Sequence, residues 1–440
     1  MRRFLRSSIL FGAILLAIGT TLAANSVRLD LEQAFQRMDR ENLRLMIERE
    51  GINQALQVQA RERARVLPSL DFRANQSRNQ NANIGGIARN IPNVPRTTLT
   101  NRFSAKLVAE APLLDPVSWA NWKLAEYNRE LTELNYGQVR QDLYELVATL
   151  YFLHQRNLAR LRVIEANRER DQALLELARN QFDAGVATPI DVTRAEVRVA
   201  TNERERLQQN TMVLQSALQL QQLLRIDMNS TLELAPFDPR EIRTEPVSQV
   251  VLESVFNNNT AYVEARRTLE RNQYARRAAG WERLPSLSLF GEWGYVSETI
   301  FDGRETQEWA VGISLGVPIF DGFRIRANKL QADSAVRSQE YTLRNLEEEI
   351  EADYRLSLQN VRSRHEQIAV AEQTEQLSER ELELAQTRFR EGVADNRDVV
   401  EAQANLAQAN DGLVEAVYEY NLSRLDYARV RGNVLLLLRD

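Results

Sequence analysis

Cysteine is absent from the 440 residues of the chain. Disulfide bonds, thiolate metal sites and a lipid anchor on cysteine are therefore not expected. Histidine is almost absent as well, since His154 and His365 are the two, and neither stands at metal-ligand spacing from another ligand residue. No glycine-rich phosphate loop, nucleophile elbow or HExxH motif occurs. The sequence therefore predicts no enzyme, no cofactor and no metal site.

Helix breakers and aromatic residues are also scarce. The chain has 17 glycines, 11 prolines and 7% aromatic residues, against 43% apolar and 27% charged residues. This composition favours long helices over a sheet-rich globule. The formal net charge is −5 and no basic tract stands out, so nucleic acid is not an expected partner.

Long apolar runs are missing after the first 24 residues, and "VLLLL" near the end is too short to cross a membrane. The N-terminus "MRRFLRSSILFGAILLAIGTTLAA" has a basic start, an apolar run from Ile9 to Ile18 and small residues at Ala23 and Ala24. These features predict a secretory signal peptide at residues 1–24. A membrane anchor is the weaker alternative because the apolar run is short for a membrane span.

Three short motifs occur twice, in the same order. The segment "QFDAGVATPIDV" (181–192) is similar to "RFREGVADNRDV" (388–399), with Phe, Gly, Val and Asp at matching places. The other pairs are "RVLPSL" (65–70) with "ERLPSL" (282–287), and "APLLD" (111–115) with "VPIFD" (317–321). A repeated order of this kind indicates one structural unit used twice. We therefore predict repeats at 25–235 and 236–440, joined near the proline-containing stretch 231–246.

Two segments are almost free of helix breakers. Between Pro116 and Phe182 only Gly137 intervenes, and the span from Arg324 to Glu391 contains no Gly or Pro. Each predicts a helix on the order of 100 Å long, at about 1.5 Å per residue. Apolar residues in four-three spacing predict coiled-coil seams: Val139, Leu143, Leu146, Leu150 and Leu153, and later Val399, Ala402, Leu406, Ala409, Leu413, Ala416 and Tyr420.

Each Gly-Val motif predicts the tip of a helical hairpin. Gly185 and Gly392 suit the left-handed residue that ends a helix. Thr188-Pro189 then supplies an N-cap and a first-turn proline, with Asp191 at the capping-box position. In the second copy the corresponding acids are Asp395 and Asp398. The tips are expected at 183–190 and 390–397.

Four segments alternate between apolar and other residues with period two. They predict strands near 69–79, 98–111, 286–296 and 307–317, of the length that crosses a membrane as a tilted barrel strand. In the last of them one face carries Trp309, Val311, Ile313, Leu315 and Val317. Four strands cannot close a barrel, and open sheet edges are not tolerated in lipid, so several chains must contribute strands. The alternative is a small soluble sheet that caps a helical bundle.

The start "VRLDLEQAF…RENLRLMIEREGINQALQVQARERARVLPSL", the two Pro-x-x-Asp motifs and the two tips carry a resemblance to the TolC-like outer-membrane efflux proteins (outer membrane factors) over essentially the whole mature chain. The resemblance implies a mainly α fold with a transmembrane β-barrel portion. In that fold three chains share one barrel, with four strands from each chain. The long coiled-coil hairpins continue as an α-barrel across the periplasm. The join near 231–246 and the C-terminal stretch would contribute to a surrounding belt.

The implied function is an exit duct of a tripartite efflux or type I secretion system. Such a duct is a passive channel in the outer membrane that extends into the periplasm. Its implied partners are two further copies of the chain, a periplasmic adaptor (membrane fusion protein), an inner-membrane pump or ABC exporter, and outer-membrane lipid. A periplasmic coiled-coil adaptor is the alternative, but it would need one hairpin per chain flanked by β-rich modules.

The resemblance also implies roles for particular residues. The tip residues Gly185, Val186, Gly392 and Val393 match the family's adaptor-docking tips, although a glycine is needed at a helix end in any case. Asp398 and Glu401 match the carboxylates that line the periplasmic constriction, and spacing of three places both on one helix face. Asp398 also fits a capping role. The possible gate partners are Asp191, Arg397 and Phe389, with Ala394 standing where the family has an arginine.

Overall fold

The computed structural model describes residues 26–82, 97–185, 187–236, 252–300, 303–391, 393 and 396–438. Most of these residues are helical. The helices are α1 (Leu31–Glu41), α2 (Leu43–Ala64), α3 (Pro116–Asp183), α4 (Pro189–Leu224), α5 (Leu252–Asn258), α6 (Thr260–Trp281), α7 (Arg324–Arg390), α8 (Asn396–Val430) and a 3₁₀ helix (Val434–Leu438). The strands are β1 (Ser26–Leu29), β2 (Ser69–Ala82), β3 (Thr97–Leu114), β4 (Thr231–Leu234), β5 (Ser286–Ser297) and β6 (Thr306–Gly316).

The two breaker-poor segments form the two longest helices, as predicted. Helix α3 has 68 residues and α7 has 67, so each is about 100 Å long. Helix α3 begins where the sequence places a cap: the Ser118 amide donates to Asp115 at 3.0 Å, and Pro116 occupies the first turn. Helix α7 begins differently, after two consecutive residues with positive φ, Gly322 (65°) and Phe323 (67°).

The helices lie side by side in a fixed lateral order. Helix α3 packs against α4 on one side and α8 on the other, and α8 packs against α7. Helices α4 and α8 are shorter than α3 and α7. Helix α2 continues the line of α4, because it also packs on α3, and α6 continues the line of α8, because it packs on both α3 and α7. The order across the rod is therefore α2/α4, α3, α6/α8, α7.

Strands β2, β3, β5 and β6 form one antiparallel sheet in that order. The central pairing joins the two halves of the chain, with Leu107 of β3 opposite Trp293 of β5. The sheet thus has the same lateral order as the rod: β2 follows α2 at one edge, and β6 precedes α7 at the other. Within the described residues, the outer edges of β2 and β6 pair with no further strand.

The largest hydrophobic core lies against the middle of α3. Strand β1 pairs in parallel with β4, and helix α1 and the 3₁₀ helix cover the same region. Helix α1 is fixed to α3 by Asp39, which accepts hydrogen bonds from the Tyr144 hydroxyl (2.6 Å) and from Arg140. Strand β1 and helix α1, strand β4 after α4, and the 3₁₀ helix that follows α8 therefore meet in one side layer.

The predicted seam of α3 is wrong in phase. Val139 and Leu143 are buried, but Leu146 is 42% exposed, and the buried residues that follow are Val147, Tyr151 and their neighbours. Helix α3 contacts α1, α4 and α8, so it buries a face wider than an a/d seam, and that face follows the helix period of 3.6. In the second half Val399, Ala402, Leu406, Ala409 and Tyr420 are buried as predicted.

Candidate functional site

The first hairpin tip is closed by backbone geometry and one carboxylate. Gly185 has φ +73° and its amide donates to the Phe182 carbonyl at 2.9 Å, so it ends α3 in the left-handed conformation as predicted. Asp191 accepts from the amide (3.0 Å) and the hydroxyl (2.6 Å) of Thr188. These hydrogen bonds hold the pKa of Asp191 below its usual value. Val186 lies outside the described residues.

The second tip presents an exposed valine. The Val393 amide donates to the Arg388 carbonyl at 2.9 Å, and the Val393 side chain is exposed. Gly392, Ala394 and Asp395 lie outside the described residues. The expectation of an apolar tip surface therefore rests on Val393 here.

Phe389 packs inside the second hairpin. It is 7% exposed and belongs to a core cluster with Val399, Ala402 and Leu406, whereas the matching Phe182 of the first tip is 43% exposed. Phe389 thus holds α7 against α8. Of the other two proposed gate residues, Asp191 is engaged in its own tip, and Arg397 is an exposed residue in the first turn of α8.

Asp398 and Glu401 lie on one exposed face of α8, as their spacing predicts. Val399 and Ala402 are buried on the adjacent face, about 100° round the helix. Asn405 and Gln408 continue the same exposed face away from the tip. The start of α8 therefore offers a stripe of two carboxylates followed by two amides.

Arg388 is a charge at this site that sequence reasoning missed. Its Nη1 lies 3.6 Å from Asp398 Oδ2, across the tip from α7 to α8. The pair is solvent-exposed, so it is a weak ion pair. A usable signal was present, because the motif reads Arg-Phe-Arg at 388–390 before the second tip and Gln-Phe-Asp before the first.

The sheet has one apolar face and one charged face. The apolar face carries Phe72, Leu107, Trp293 and Trp309, which align across the four strands, and its side chains are exposed. On the other face Lys106 lies 3.2 Å from both Glu292 and Glu308, and Arg102 lies 3.7 Å from Glu308.

Both edges of the rod carry exposed apolar seams, with steps of 7, 10 and 7 residues along α4 and of 14, 7 and 7 residues along α7. We call them the α4 seam (Ile190, Val197, Leu207, Leu214) and the α7 seam (Leu356, Val370, Leu377, Leu384). Each seam faces away from the helix that its own chain packs on, since α4 buries Ala195 and Asn202 and α7 buries Val361 and Ile368. Such stripes are typical of helices that pack against another helix.

The histidines take packing positions. His154 is buried on α3, with Nδ1 2.9 Å from Ser216 Oγ of α4, and burial lowers the pKa of His154. The His365 ring centroid lies 5.5 Å from that of Tyr420. The described residues contain no cluster of three or more potential metal ligands. Among them, too, no helix combines the length and hydrophobicity of a transmembrane span.

Comparison with known proteins identifies relatives over nearly the whole chain. The sequence profile of the family described as "Outer membrane efflux protein" matches residues 36–224 and 251–432. The outer membrane protein TolC of Vibrio cholerae is 24% identical over 343 residues, covering 76% of this chain and 77% of the relative. The proteases secretion protein PrtF of Dickeya chrysanthemi is 23% identical over 373 residues, covering 81% and 78%.

Solved structures share the fold. A membrane protein from Pseudomonas aeruginosa superposes with a TM-score of 0.78 at 19% identity, covering 91% of this chain and 93% of that one. The CmeC outer membrane channel of Campylobacter jejuni superposes with a TM-score of 0.76 at 19% identity, covering 91% and 85%.

Proposed function

The chain belongs to the outer membrane efflux protein family, and we propose that it is the passive exit duct of a tripartite efflux or type I secretion system. The observation that carries the proposal is the shared lateral order of sheet and rod, with both layers open at the same two edges among the described residues. A second copy set against either edge continues both layers at once.

Three copies close the structure in this proposal. They supply 3 × 4 = 12 strands, within the range of outer-membrane barrels, and strand β6 of one copy pairs with β2 of the next. The α7 seam of one copy meets the α4 seam of the next, which buries both apolar stripes. The apolar sheet face then meets lipid, and the face with Lys106, Glu292 and Glu308 lines the lumen.

The seams provide a test of assembly. Val197→Glu with Leu377→Glu places charge on both seams and should abolish the heat-modifiable trimer in the outer-membrane fraction. Asn210→Glu with Gln376→Glu adds the same charge at exposed positions beside the seams and should leave the trimer intact. A normal trimer in the seam variant would refute the proposed closure, and a protein soluble without detergent would favour the adaptor alternative.

The hairpin tips are the proposed docking site for a periplasmic adaptor, which links the duct to an inner-membrane pump or ABC exporter. The residues concerned are Gly185, Val186, Gly392 and Val393. The exposed position of Val393 supports this assignment. Val186→Asp with Val393→Asp keeps both glycine helix ends but should disrupt apolar contacts at the tips. Full efflux by a double mutant that still forms trimers would exclude docking at these valines.

Asp398 and Glu401 are the proposed carboxylates of the periplasmic constriction, with Asp191, Arg397 and Phe389 as possible gate residues. Asp398 and Glu401 share one exposed face of α8, which supports their assignment to the constriction. Threefold symmetry would place six carboxylates in one ring, which attracts cations.

Asp398→Asn with Glu401→Gln should lower cation selectivity and block by multivalent cations in a planar bilayer. Arg388→Gln should raise both, because it removes the positive charge beside Asp398. Unchanged selectivity in both variants would place this face outside the pore.

The proposal includes export directed by residues 1–24, which lie outside the described residues. The proposed duct carries no acyl anchor on cysteine, since the sequence has no cysteine. The duct performs no chemistry and holds no cofactor in this proposal. Nucleic acid is not among its partners, because no basic tract stands out in the sequence.

A further inference from the structure

Exposed apolar side chains gather where the strands meet the helices. We call this set the junction belt: Leu67, Trp119, Leu284, Ile319, Phe320 and Phe323. The sheet register places all four strand–helix turns at one end, because Ser69 lies opposite Glu110 and Ser286 lies opposite Gly316. The belt therefore crosses the whole width of the chain at one level.

The turn between β6 and α7 is the most exposed part of the belt. Ile319 is 96% exposed, and the rings of Phe320 and Phe323 pack edge to face with centroids 5.6 Å apart. Phe323 also holds a left-handed backbone conformation (φ 67°), which is strained for a bulky residue. The left-handed position is the one that immediately precedes α7, and the turn therefore presents two exposed aromatic rings side by side.

Arginines stand beside the apolar residues of the belt. Arg65 Nε lies 3.2 Å from Glu62, and Arg324 Nη1 lies 2.7 Å from Glu282. In both pairs the arginine is the outer member, with 58% and 61% of its side chain exposed against 13% and 22% for the glutamates. Arg283 is exposed and makes no ion pair within the described part of the chain. The outermost charge at this level is therefore positive.

The belt continues the apolar face of the sheet. Ile319 follows Trp309, Val311, Ile313, Leu315 and Val317 at odd-numbered positions, one residue pair beyond the last. Strand β6 ends at Gly316, so from Trp309 to its end it extends about 23 Å, which is about 18 Å along the membrane normal for a strand tilted by about 40°. An apolar band about 25 Å tall that begins at Trp309 therefore ends in the turn that carries Ile319, which puts the belt at headgroup level.

We propose that the junction belt binds anionic phospholipid in the membrane leaflet that faces the helical rod. The inference rests on the proposed function, because it requires the apolar sheet face to meet lipid. Its arginines contact the phosphates and its apolar side chains enter the boundary between headgroups and acyl chains. A neighbouring copy cannot cover the whole belt, because Trp119 on α3 and Leu284 before β5 belong to elements inside the lateral order.

The absence of cysteine allows single-cysteine labelling of the full chain. Ile319→Cys and Leu284→Cys carry an environment-sensitive fluorophore in trimers reconstituted into brominated phosphatidylcholine vesicles. The matched controls are Ile313→Cys on the apolar face of β6 and Ser314→Cys on the charged face. We expect shallow bromines to quench both belt probes, deep bromines to quench the Ile313 probe, and neither to quench the Ser314 probe.

The outcomes separate the two proposals. Belt probes that stay unquenched while the Ile313 probe is quenched overturn the lipid assignment and leave the belt in water or under a different protein. An unquenched Ile313 probe refutes the orientation of the sheet, and with it the proposed function.

A second arm tests the charge. In mixed vesicles where only phosphatidylglycerol is brominated, the Ile319 probe should report enrichment of up to about fivefold per arginine at low salt. Arg283→Gln with Arg324→Gln should strongly lower the enrichment, because Arg65 is then the one remaining arginine of the three named here. Arg355→Gln, which removes an ion-paired exposed arginine of the middle rod, should leave it unchanged. Equal quenching by brominated phosphatidylglycerol and phosphatidylcholine would overturn the anionic preference.

Discussion

A buried carboxylate in the first hairpin gives the sharpest prediction of stability. Asp171 of α3 is 2% exposed and lies about 20 Å along the helix from the tip glycine Gly185. Its Oδ2 accepts a hydrogen bond from the Asn202 amide at 2.9 Å, and Arg198 Nε lies 3.7 Å from Oδ1. Burial raises the pKa of Asp171 despite both partners. The hairpin therefore carries a carboxyl group in a place that disfavours its charged form.

Removing the Asn202 side chain alone should lower the stability of the hairpin more than removing Asp171 and Asn202 together. Asn202→Ala leaves the Asp171 carboxylate without its hydrogen-bond donor, which should lower the local opening free energy of the hairpin by about 3 kcal/mol. Asp171→Leu with Asn202→Leu removes both polar groups and should be neutral or stabilising. The measurement is hydrogen exchange in peptides of residues 165–205 in the intact protein.

The stability of the first hairpin should change with pH in a defined direction. Because the folded pKa of Asp171 lies above the unfolded value of about 3.9, the native state binds more protons across that interval. The stability of the hairpin should thus rise as pH falls through the folded pKa, and stay constant above it. Asp171→Asn should remove this component from the difference in protection between pH 7 and pH 4.5.

Two results would refute the reasoning. Equal exchange in wild type and Asn202→Ala would mean that the hydrogen bond does not hold the hairpin closed. An unchanged pH dependence in Asp171→Asn would mean that another group titrates. The matched control is Glu203→Gln on the next residue of α4, where the ion pair with Arg206 is partly exposed and should contribute little.

Three further predictions concern single side chains. Thr188→Ala should destabilise the first tip by about 1 kcal/mol, measured as faster hydrogen exchange of the tip amides. Because the folded pKa of Asp191 is lowered, this loss of stability should be present at neutral pH and fade as pH falls through that pKa. His154→Gln should reduce the acid sensitivity of thermal unfolding below about pH 6.5, since buried His154 with a lowered pKa favours the unfolded state there. Phe152→Ala should cost about 3–5 kcal/mol in denaturant unfolding, and Leu146→Ala less than about 1 kcal/mol, because Phe152 is buried and Leu146 is exposed.

The ends of the helices could be predicted from the sequence because capping residues next to each end determine them. The expected helix from Pro116 to Phe182 is observed as Pro116–Asp183, because Asp115-Pro116 and Gly185 are terminators that act within one turn. Alternation with period two likewise depends only on a strand's own residues. These features need no knowledge of the neighbours.

Contacts between elements that are distant in the sequence could not be predicted in this way. The phase of the α3 face depends on the three helices around it, so the heptad that included Leu146 failed. The pairing of β3 with β5 and the ion pair between Arg388 and Asp398 also depend on which elements pack together. The sequence predicted the shared face of Asp398 and Glu401 because helix periodicity alone decides it.

The two tips share a motif but differ in what holds them. In the first, Phe182 is largely exposed, Asp191 is engaged with Thr188, and the helices are joined deeper down by the buried polar pair of Asp171 and Asn202. In the second, Phe389 is buried, and the position matching Asn202 is the buried Ala409, so apolar packing holds the hairpin. Apolar contacts keep their strength across pH, whereas a buried carboxylate does not. The stability of the second hairpin, which carries the exposed Asp398 and Glu401, should therefore depend less on pH than the stability of the first hairpin.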